Sequence, residues 1–400
     1  MDGYRLIRRC YRIKDLLCIP SYLKNLKTVM NEPSVYPDMP RKSRRERLKD
    51  NLVWFVKNHD INKNYNTYGL DVVGFRKPED FVPYRQFAMV RDDNNFTTTG
   101  GVYAYNRVCV LRDKSVFAAF VSSTVGSQYV IPVLAHTEGI YADVYRGNRM
   151  LLRDYLEMRR DRDTILKKVN GECGDGIYLL SHNGRGWMVN HRPVELEKLI
   201  REIGKSEYII QDRLVQHEVL NRINPSSVNT IRFVTIMDQH MHAQEFSHFL
   251  RIGVHGSVTD NRATGGYAVN ISENGVLCGK AIGHHDTITV HPDTGVVFAG
   301  IQLPYWNEVR DLVRRVHEKL PDIRSIGWDV AITPEGPVLI EGNDNWEIGG
   351  PQDMEGGLKQ RWNEMMFGRE PQEERTAASF RPRTAAAMQR EVPRAKASMS

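Results

Sequence analysis

The most constraining feature of this 400-residue sequence is a pair of short, largely apolar segments near its C-terminal end. Residues 327–332 and 337–343 alternate between aliphatic and other side chains, and a Thr-Pro-Glu-Gly segment joins them. Pro334 suits the second position of a type I turn, and Gly336 suits the left-handed position that follows. The pattern therefore predicts a β-hairpin that is closed by a three-residue loop with a bulge.

The register of this hairpin brings two carboxylates together. Asp329 is expected to lie opposite Glu341 with Asn343 on the same face, while Val330 is expected to lie opposite Ile340 on the other face. Two opposed negative charges are unfavourable unless a cation lies between them, and Mg²⁺ binds carboxylate oxygens together with water and nucleotide phosphates. We therefore predict a metal site at Asp329, Glu341 and Asn343. The alternative is an ordinary solvated acidic face.

Three stretches upstream of the hairpin occur in an informative order. Residues 165–177 form a strand pattern followed by a glycine-rich loop, residues 208–214 form a second strand pattern, and Arg112-Asp113-Lys114 opens a helix pattern. Together with the hairpin, they resemble the ATP-grasp superfamily over roughly residues 105–355. The resemblance implies an α/β (α+β) ATP-grasp fold, in which two α+β subdomains clamp ATP and a small N-terminal domain precedes them.

The resemblance also implies which residues contact ATP. Lys167 stands four residues before Gly171, where the family has a lysine on the ATP phosphates, although Lys168 could point inward instead. Asp113, next to Lys114, is equally well explained as a helix N-cap. The hinge after the second strand would read the adenine through its backbone, and His217 is an alternative to Glu218 for the ribose. The implied nucleotide-binding residues are Lys114, Lys167, Gln211, Asp212, Arg213, Leu214 and Glu218.

Two further residues are implied to act on the reacting groups. Arg232 lies on an alternating strand pattern, where the resemblance implies contact with a phosphate or acyl phosphate, and a salt-bridged structural arginine is the alternative. Arg251, on the following strand, is a weaker candidate of the same kind. Asn261, before Gly265-Gly266, matches a family asparagine near the nucleotide and the metal.

Composition narrows the class of protein. The sequence is 41% hydrophobic and 26% charged, as is typical of soluble globular proteins. No apolar run reaches the roughly twenty residues of a membrane helix, and no signal-peptide pattern begins the chain. The five cysteines lack paired metal-ligand spacing, and His284, His285 and His291 form no compact zinc motif. We therefore expect a reduced, cytoplasmic protein without zinc.

Positive charge is concentrated at the N-terminal end. Residues 1–50 contain thirteen Lys and Arg against six Asp and Glu, so their surplus of seven exceeds the net charge of +6 of the whole chain. The remainder is close to neutral, which argues against nucleic acid as a partner. Residues 4–19 have the pattern of a basic amphipathic helix. It either packs on the body or makes peripheral contact with the inner face of a membrane.

The chain divides into four segments on these grounds. We predict a basic N-terminal helical arm at 1–50, an N-terminal domain at 51–135, the nucleotide- and metal-binding domain at 136–367, and a disordered tail at 368–400. The tail is rich in Arg, Ala, Ser and Pro and has no periodicity.

Further likenesses narrow the resemblance to the sugar-transfer-associated ATP-grasp group. They are Tyr68-Gly69-Leu70-Asp71, residues 227–232, residues 261–266 and His291-Pro292-Asp293-Thr294-Gly295. The likeness implies an ATP- and Mg²⁺-dependent ligase that joins a carboxylate to an amine or hydroxyl through an acyl phosphate. Two Mg²⁺ ions, or Mn²⁺, would assist, and a sugar of cell-surface polysaccharide synthesis would be a substrate. A small-molecule kinase and a non-catalytic nucleotide-binding scaffold are the alternatives, and the oligomeric state is left open.

Overall fold

The structure is a computed structural model that describes residues 19–95, 107–144, 147–171 and 176–368. Three sequence predictions concern residues that lie largely or wholly outside these ranges. They are the basic helix at 4–19, the middle of the glycine-rich loop at 172–175 and the tail from residue 369. No helix in the described ranges has both the length and the apolar character that a membrane-spanning segment needs.

The N-terminal part of the described chain is helical. Its helices are α1 (Ile19–Asn31), α2 (Arg44–Asn58) and α3 (Tyr84–Asn95). Helix α2 begins at a capping box, in which the Ser43 hydroxyl accepts from the Glu46 N–H and the Glu46 carboxylate accepts from the Ser43 N–H. Helices α1 and α2 pack through an edge-to-face contact of Tyr22 with Phe55.

Helix α3 attaches this helical part to the rest of the molecule. The Asn95 side chain donates to the carbonyls of Ser325 (3.0 Å) and Asp344 (2.8 Å), which flank the two strands of the predicted hairpin. Phe87 packs edge-on against Trp346 in the same region. The N-terminal helices therefore lie against the sheet that carries the carboxylates.

Two short helices follow, α4 (Cys109–Arg112) and α5 (Lys114–Thr124). Asp113 separates them and caps α5, because its carboxylate accepts from the N–H groups of Ser115 (2.9 Å) and Val116 (3.1 Å). The predicted N-cap at Asp113 is confirmed. Short 3₁₀ turns lie at Pro78–Asp80, Ser127–Tyr129 and Arg262–Thr264.

The first sheet is antiparallel and has eight strands in the order β3-β2-β1-β8-β4-β5-β6-β7. One of its faces packs on helices α6 (Leu152–Glu157) and α7 (Leu196–Ile203), in a core that includes Leu166, Leu180 and Ile210. The strands are β1 (Ala135–Glu138), β2 (Tyr141–Val144), β3 (Asn148–Leu151), β4 (Thr164–Lys168), β5 (Ile177–His182), β6 (Trp187–Val189), β7 (Arg192–Pro193) and β8 (Tyr208–Asp212). The predicted nucleotide-binding strands are therefore the adjacent β4 and β8.

The second sheet has seven strands in the order β13-β12-β11-β10-β9-β14-β15. Helix α8 (Glu218–Ile223) leads into it, and α9 (Trp306–His317) covers one face with Val309, Leu312 and Val313. The strands are β9 (Ile231–Met237), β10 (Ala243–Ile252), β11 (Tyr267–Ile271), β12 (Leu277–Ile282), β13 (Thr287–Ile288), β14 (Ser325–Thr333) and β15 (Gly336–Asn343). Two short helices close the described chain, α10 (Gly349–Glu355) and α11 (Lys359–Phe367). The expected α+β architecture with two subdomains behind an N-terminal domain is confirmed.

The predicted hairpin forms with a different turn. Asp329 pairs with Glu341 as expected, but Val330 pairs with Leu339 and not with Ile340. The strands remain paired up to Thr333 and Gly336, so the loop has two residues, and the extra residue of the bulge is Ile340 beside the carboxylates. The prediction of a bulge was correct, and its position at the turn was wrong.

Candidate active site

The two carboxylates of the hairpin lie side by side. Asp329 and Glu341 are directly paired across β14 and β15, and Asp329 is almost completely buried. The Asn343 side chain donates its Nδ2–H to the Gly327 carbonyl at 3.2 Å. Because the amide nitrogen points at this carbonyl, the Asn343 Oδ1 atom remains as a further acceptor beside the two carboxylates.

Two arginines hold Asp329. Arg232 is directly opposite Asp329 on β9, and its Nε lies 2.7 Å from Asp329 Oδ1. Arg251 on β10 donates through Nη2 to Asp329 Oδ2 at 2.8 Å. In this structure Arg232 therefore forms a salt bridge, as the alternative interpretation of its sequence position predicts. Arg251, the weaker candidate from the sequence, contacts Asp329 equally closely.

These surroundings shift the pKa values of the two carboxylates in opposite directions. Burial alone would raise the pKa of Asp329, but the Arg232 and Arg251 guanidiniums outweigh burial and lower it. Burial raises the pKa of Glu341, and the negative charge of Asp329 raises it further. Asp329 is therefore held ionised, whereas Glu341 is the group whose charge most needs a cation.

Two lysines complete the charged cluster. Lys114, the first residue of α5, donates from Nζ to the Gly171 carbonyl at 2.6 Å and lies 4.0 Å from Glu341 Oε2. Burial lowers the pKa of Lys167 on β4 to about 8, an effect that the Glu341 charge opposes. Lys168 points to the other face of the sheet, where its Cβ lies near Gly176. Of the adjacent lysines, Lys167 is the one beside the carboxylates.

The cluster carries an excess of positive charge. Two arginines and two lysines face three carboxylates, since Asp260 Oδ2 also lies 3.6 Å from Arg251 Nε, so a surplus of one positive charge is concentrated where the two sheets meet. A cluster that served only to neutralise its own carboxylates would not need this surplus. The surplus makes the cluster suited to a polyanion.

The donor set also fits a hard divalent cation. Asp329 Oδ1 is buried and makes no hydrogen bond of good geometry, and Glu341 has a raised pKa beside it. No group of three or more His, Cys, Asp or Glu that could hold a metal occurs in the described part of the chain. Asp329, Glu341 and Asn343 would therefore supply only part of a coordination shell. Mg²⁺ commonly completes such a shell with water and phosphate oxygens.

The third carboxylate, Asp260, is buried and links the cluster to the loop that carries Asn261. Asp260 Oδ2 accepts from the Thr230 N–H (2.8 Å) and the Thr230 hydroxyl (2.5 Å). The Thr230 hydroxyl oxygen in turn accepts from Arg251 Nη2 at 2.7 Å. The Asn261 carbonyl accepts from the N–H groups of Thr264 and Gly266 and shapes the loop. Asn261 is therefore connected to Asp329 through its neighbour Asp260, which contacts Thr230 and Arg251.

The predicted adenine-binding residues lie at the hinge between the sheets. Gln211 faces the same side of the first sheet as Lys167, donates to the Ile131 carbonyl at 2.9 Å, and has a buried Oε1 without a partner. The Asp212 side chain faces the other side of the sheet and pairs with Arg159. Of Gln211 and Asp212, Gln211 is thus the residue whose side chain lies on the same side of the sheet as Lys167.

The remaining hinge residues line a cavity. Arg213 is held at both ends by Asp163, because its N–H donates to the Asp163 carbonyl at 3.1 Å and its Nη1 to the carboxylate at 2.9 Å. A cavity of about 650 Å³ is bordered by Asp212, Arg213, Leu214 and Glu218 together with Pro334 at the hairpin tip. None of the four cations of the cluster lines this cavity. It adjoins the hinge and is separate from the carboxylates.

Two supporting features were missed from the sequence. Arg112 donates to the carboxylate of Asp344, the residue after Asn343, through Nε (2.9 Å) and Nη2 (2.7 Å). This two-point contact fixes the end of the hairpin. The buried His291 contacts the Gly253 carbonyl through Nε2 at 3.0 Å and accepts the Asp293 N–H through Nδ1. Its role in the described contacts is structural. The Arg-Asp-Lys segment was the available signal for the Arg112 contact. The His-Pro-Asp-Thr-Gly segment was the available signal for the His291 contacts.

Solved structures of several ATP-dependent enzymes are similar to this chain at low identity. They include the ATP-grasp ligase PsnB with its minimal precursor (14% identity, TM-score 0.32, 62% of this chain and 56% of that chain). They also include an ADP complex of purK, N5-carboxyaminoimidazole ribonucleotide synthetase (10% identity, TM-score 0.38, 72% of this chain and 56% of that chain). An L-amino acid ligase from Bacillus licheniformis is a third (10% identity, TM-score 0.34, 67% of this chain and 50% of that chain). The chain thus spans about half the length of these proteins. None of the curated proteins matches the sequence.

The sequence itself identifies the family. Residues 95–366, about two thirds of the chain, match the family described as sugar-transfer-associated ATP-grasp. This match includes the four cations, both carboxylates, the hinge and the Asn261 loop. The chain therefore belongs to the sugar-transfer-associated ATP-grasp family.

Proposed function

We propose that this protein is an ATP- and Mg²⁺-dependent ligase that activates a carboxylate as an acyl phosphate and joins it to an amine or a hydroxyl. The observation that carries the proposal is the surplus of positive charge, four cations against three carboxylates, at the meeting point of two sheets. A triphosphate with divalent cations has the charge and the oxygen ligands that this cluster lacks. Family membership and the titles of the similar structures support the same reaction type.

In this proposal each charged residue has a defined task. Asp329, Glu341 and Asn343 would hold Mg²⁺, two ions or alternatively Mn²⁺, which would neutralise charge on the β- and γ-phosphates. Lys114 and Lys167 would contact the phosphate oxygens as point charges. Among the adenine-side residues, Gln211 and the backbone from Asp212 to Leu214 would border the base, and Glu218 would accept from the ribose.

The arginines would act on the transferred group. In the first step a carboxylate oxygen of the substrate attacks the γ-phosphorus, and the bond to the β-phosphate oxygen breaks to give ADP. Arg232 and Asn261 would stabilise the charge on the transferred phosphoryl group. In the second step the nucleophile attacks the acyl carbon and inorganic phosphate leaves. No nucleophilic side chain of the protein is needed.

The substrates and the cellular setting are part of the proposal. We propose a small-molecule carboxylate and an amine or sugar as substrates, in the synthesis of cell-surface polysaccharides, as the family description suggests. We also propose a cytoplasmic location, with peripheral contact at the inner membrane face through residues 4–19. Residues 136–367 would form the catalytic domain, with Lys114 contributed from the preceding domain.

The experiment is a screen of acid and nucleophile pairs with ATP and Mg²⁺, in which ADP and the position of the phosphate are measured. The proposal predicts ADP, free inorganic phosphate and a condensed product, all lost in Glu341→Gln. Phosphate bound to the product would indicate a small-molecule kinase instead. Absence of ADP with every pair, from protein that binds ATP, would support a non-catalytic scaffold and contradict the proposal.

A further inference from the structure

Helix α2 has an apolar side that faces solvent. Its Trp54 side is buried in the N-terminal core, so the opposite side of the helix points away from the body. Four large aliphatic side chains on that opposite side are exposed, namely Leu48 (40%), Leu52 (48%), Val53 (45%) and Val56 (73%). Three of them recur every four residues, which places them in one stripe along the helix. A contiguous apolar stripe of this kind is a feature of an interaction surface.

Cations are interleaved with this stripe. Arg45 and Lys49 lie on the same side of α2 as the aliphatic residues, and Arg44 and Lys57 flank them. All four are exposed and form no ion pair with an acidic side chain in the described ranges. By contrast, the neighbouring Lys42 is paired with an aspartate of the helix. The outward side of α2 is thus both apolar and positively charged.

The chain that precedes α2 adds to the same character. Residues 1–18, which precede α1, contain five Arg and Lys against two Asp and Glu. On α1 itself, Leu23 is 62% exposed, and Lys24 and Lys27 are exposed as well. The positive charge is therefore not confined to one helix.

We propose that the outward side of α2 is a docking surface for an anionic lipid bilayer. Aliphatic side chains would enter the boundary between head groups and acyl chains, and the interleaved Arg and Lys would extend to the lipid phosphates. Nucleic acid would use the cations and leave the aliphatic side chains exposed. A second copy of the chain would bring two like-charged surfaces together. The membrane is the partner that uses both features, and this contact does not depend on the ligase chemistry.

The test is co-sedimentation of the full chain with lipid vesicles. We expect binding to vesicles of phosphatidylcholine mixed with phosphatidylglycerol, weaker binding as salt increases, and little binding to phosphatidylcholine alone. Leu52→Glu/Val56→Glu should lower the affinity for the vesicles by more than tenfold. Each change removes an aliphatic group that the bilayer would bury and adds a negative charge. Lys49→Gln/Lys57→Gln should weaken binding to the charged vesicles only.

Matched controls separate the surface from general effects. Val297→Glu introduces the same change at a valine of comparable exposure (55%) outside the N-terminal helices and should bind like wild type. Thermal unfolding of each variant verifies that it is folded. The proposal is overturned if the α2 variants bind vesicles like wild type, including the case in which only Arg8→Gln/Arg9→Gln abolishes binding. It is also overturned if the α2 changes alter the oligomeric state but not vesicle binding.

Discussion

Asp329 and Glu341 lie directly opposite each other in the β14–β15 hairpin, and the strands shift register by one residue immediately beyond them. The pair has opposite pKa shifts because two arginines contact Asp329, whereas Glu341 is affected mainly by burial and by the Asp329 charge. A site of this kind binds a cation most readily when a polyanion arrives with it, because the arginines and lysines then gain a partner for their own charge. We therefore expect the metal and the nucleotide to bind together.

Gly327 is expected to be essential for the arrangement of the cluster. A Cβ atom at this position would lie 2.6 Å from Trp346 Cβ and 3.2 Å from Arg232 Nη1. Gly327→Ala should therefore reduce the free energy of unfolding by about 1–3 kcal/mol and displace Arg232, which weakens nucleotide binding. Chemical denaturation and ATP titration measure the two effects. Gly186→Ala is the matched control, because a Cβ there meets no atom within 4 Å.

The buried His317 makes stability depend on pH. Trp328 Nε1–H donates to the Thr235 hydroxyl oxygen (2.8 Å), and His317 bridges Thr235 (2.7 Å) and the Ile323 carbonyl (2.8 Å). Because the carbonyl needs a donor, Nε2 carries the proton, and Nδ1 accepts from the hydroxyl. Burial lowers the pKa of His317 to about 4, an effect that the Ile323 carbonyl opposes.

The sign of the effect follows from this lowered pKa. The folded form binds fewer protons than the unfolded form between about pH 6.5 and 4, so stability is present above this window and lost as the pH falls through it. The loss attributable to His317 should be roughly 3 kcal/mol. Urea denaturation between pH 7 and 4 measures it. His317→Gln should have a shallower pH dependence, and a variant as steep as wild type would assign the effect to other groups, such as His248.

Asp260 is expected to be a positioning residue for Arg251. Asp260→Ala removes both hydrogen bonds to Thr230 and leaves the buried Arg251 with less compensating charge. The free energy of unfolding should fall by about 3 kcal/mol. Thr230→Val should cost less, because the Thr230 N–H still donates to Asp260. A double-mutant cycle in urea checks the connection, and additive losses would show that the two residues are not coupled.

Lys167 and Lys168 provide an internal comparison for nucleotide binding. Lys167→Met removes a buried cation beside Glu341 and should weaken ATP binding by at least tenfold, since a charge-assisted hydrogen bond contributes about 2 kcal/mol. Lys168→Met changes the neighbouring lysine on the opposite face and should leave the affinity nearly unchanged. Calorimetric titration with ATP and Mg²⁺ measures both. Equal losses in the two variants would contradict the assignment of Lys167, rather than Lys168, to the phosphates.

Much of the fold was predictable because periodicity and turn chemistry are local signals. The pairing of Asp329 with Glu341 and the N-cap at Asp113 both follow from spacing along the chain. The position of the bulge was not predictable in this way. A one-residue shift at Ile340 satisfies the same alternation as a shift at the turn, and the choice depends on packing against other strands.

The site was predictable in composition but not in all its contacts. Arg232 and Lys167 were assigned from motif order. The contact of Arg251 with Asp329, in contrast, depends on β10, β9 and β14 being neighbours in the sheet. Asp212 was expected to border the nucleotide through its backbone, and strand alternation directs its side chain toward Arg159. Contacts between residues that are far apart in sequence depend on strand order, which a single sequence does not state.

The most direct test of the central claim is a thermal-shift titration with ATP and Mg²⁺ on wild type and Glu341→Gln. The variant keeps the shape of the side chain and removes the negative charge that opposes Asp329. The account predicts that ATP raises the unfolding temperature of wild type much more with Mg²⁺ than without it, and that this Mg²⁺-dependent part is lost in the variant. A shift of equal size with and without Mg²⁺, or one that Glu341→Gln retains in full, would contradict the account.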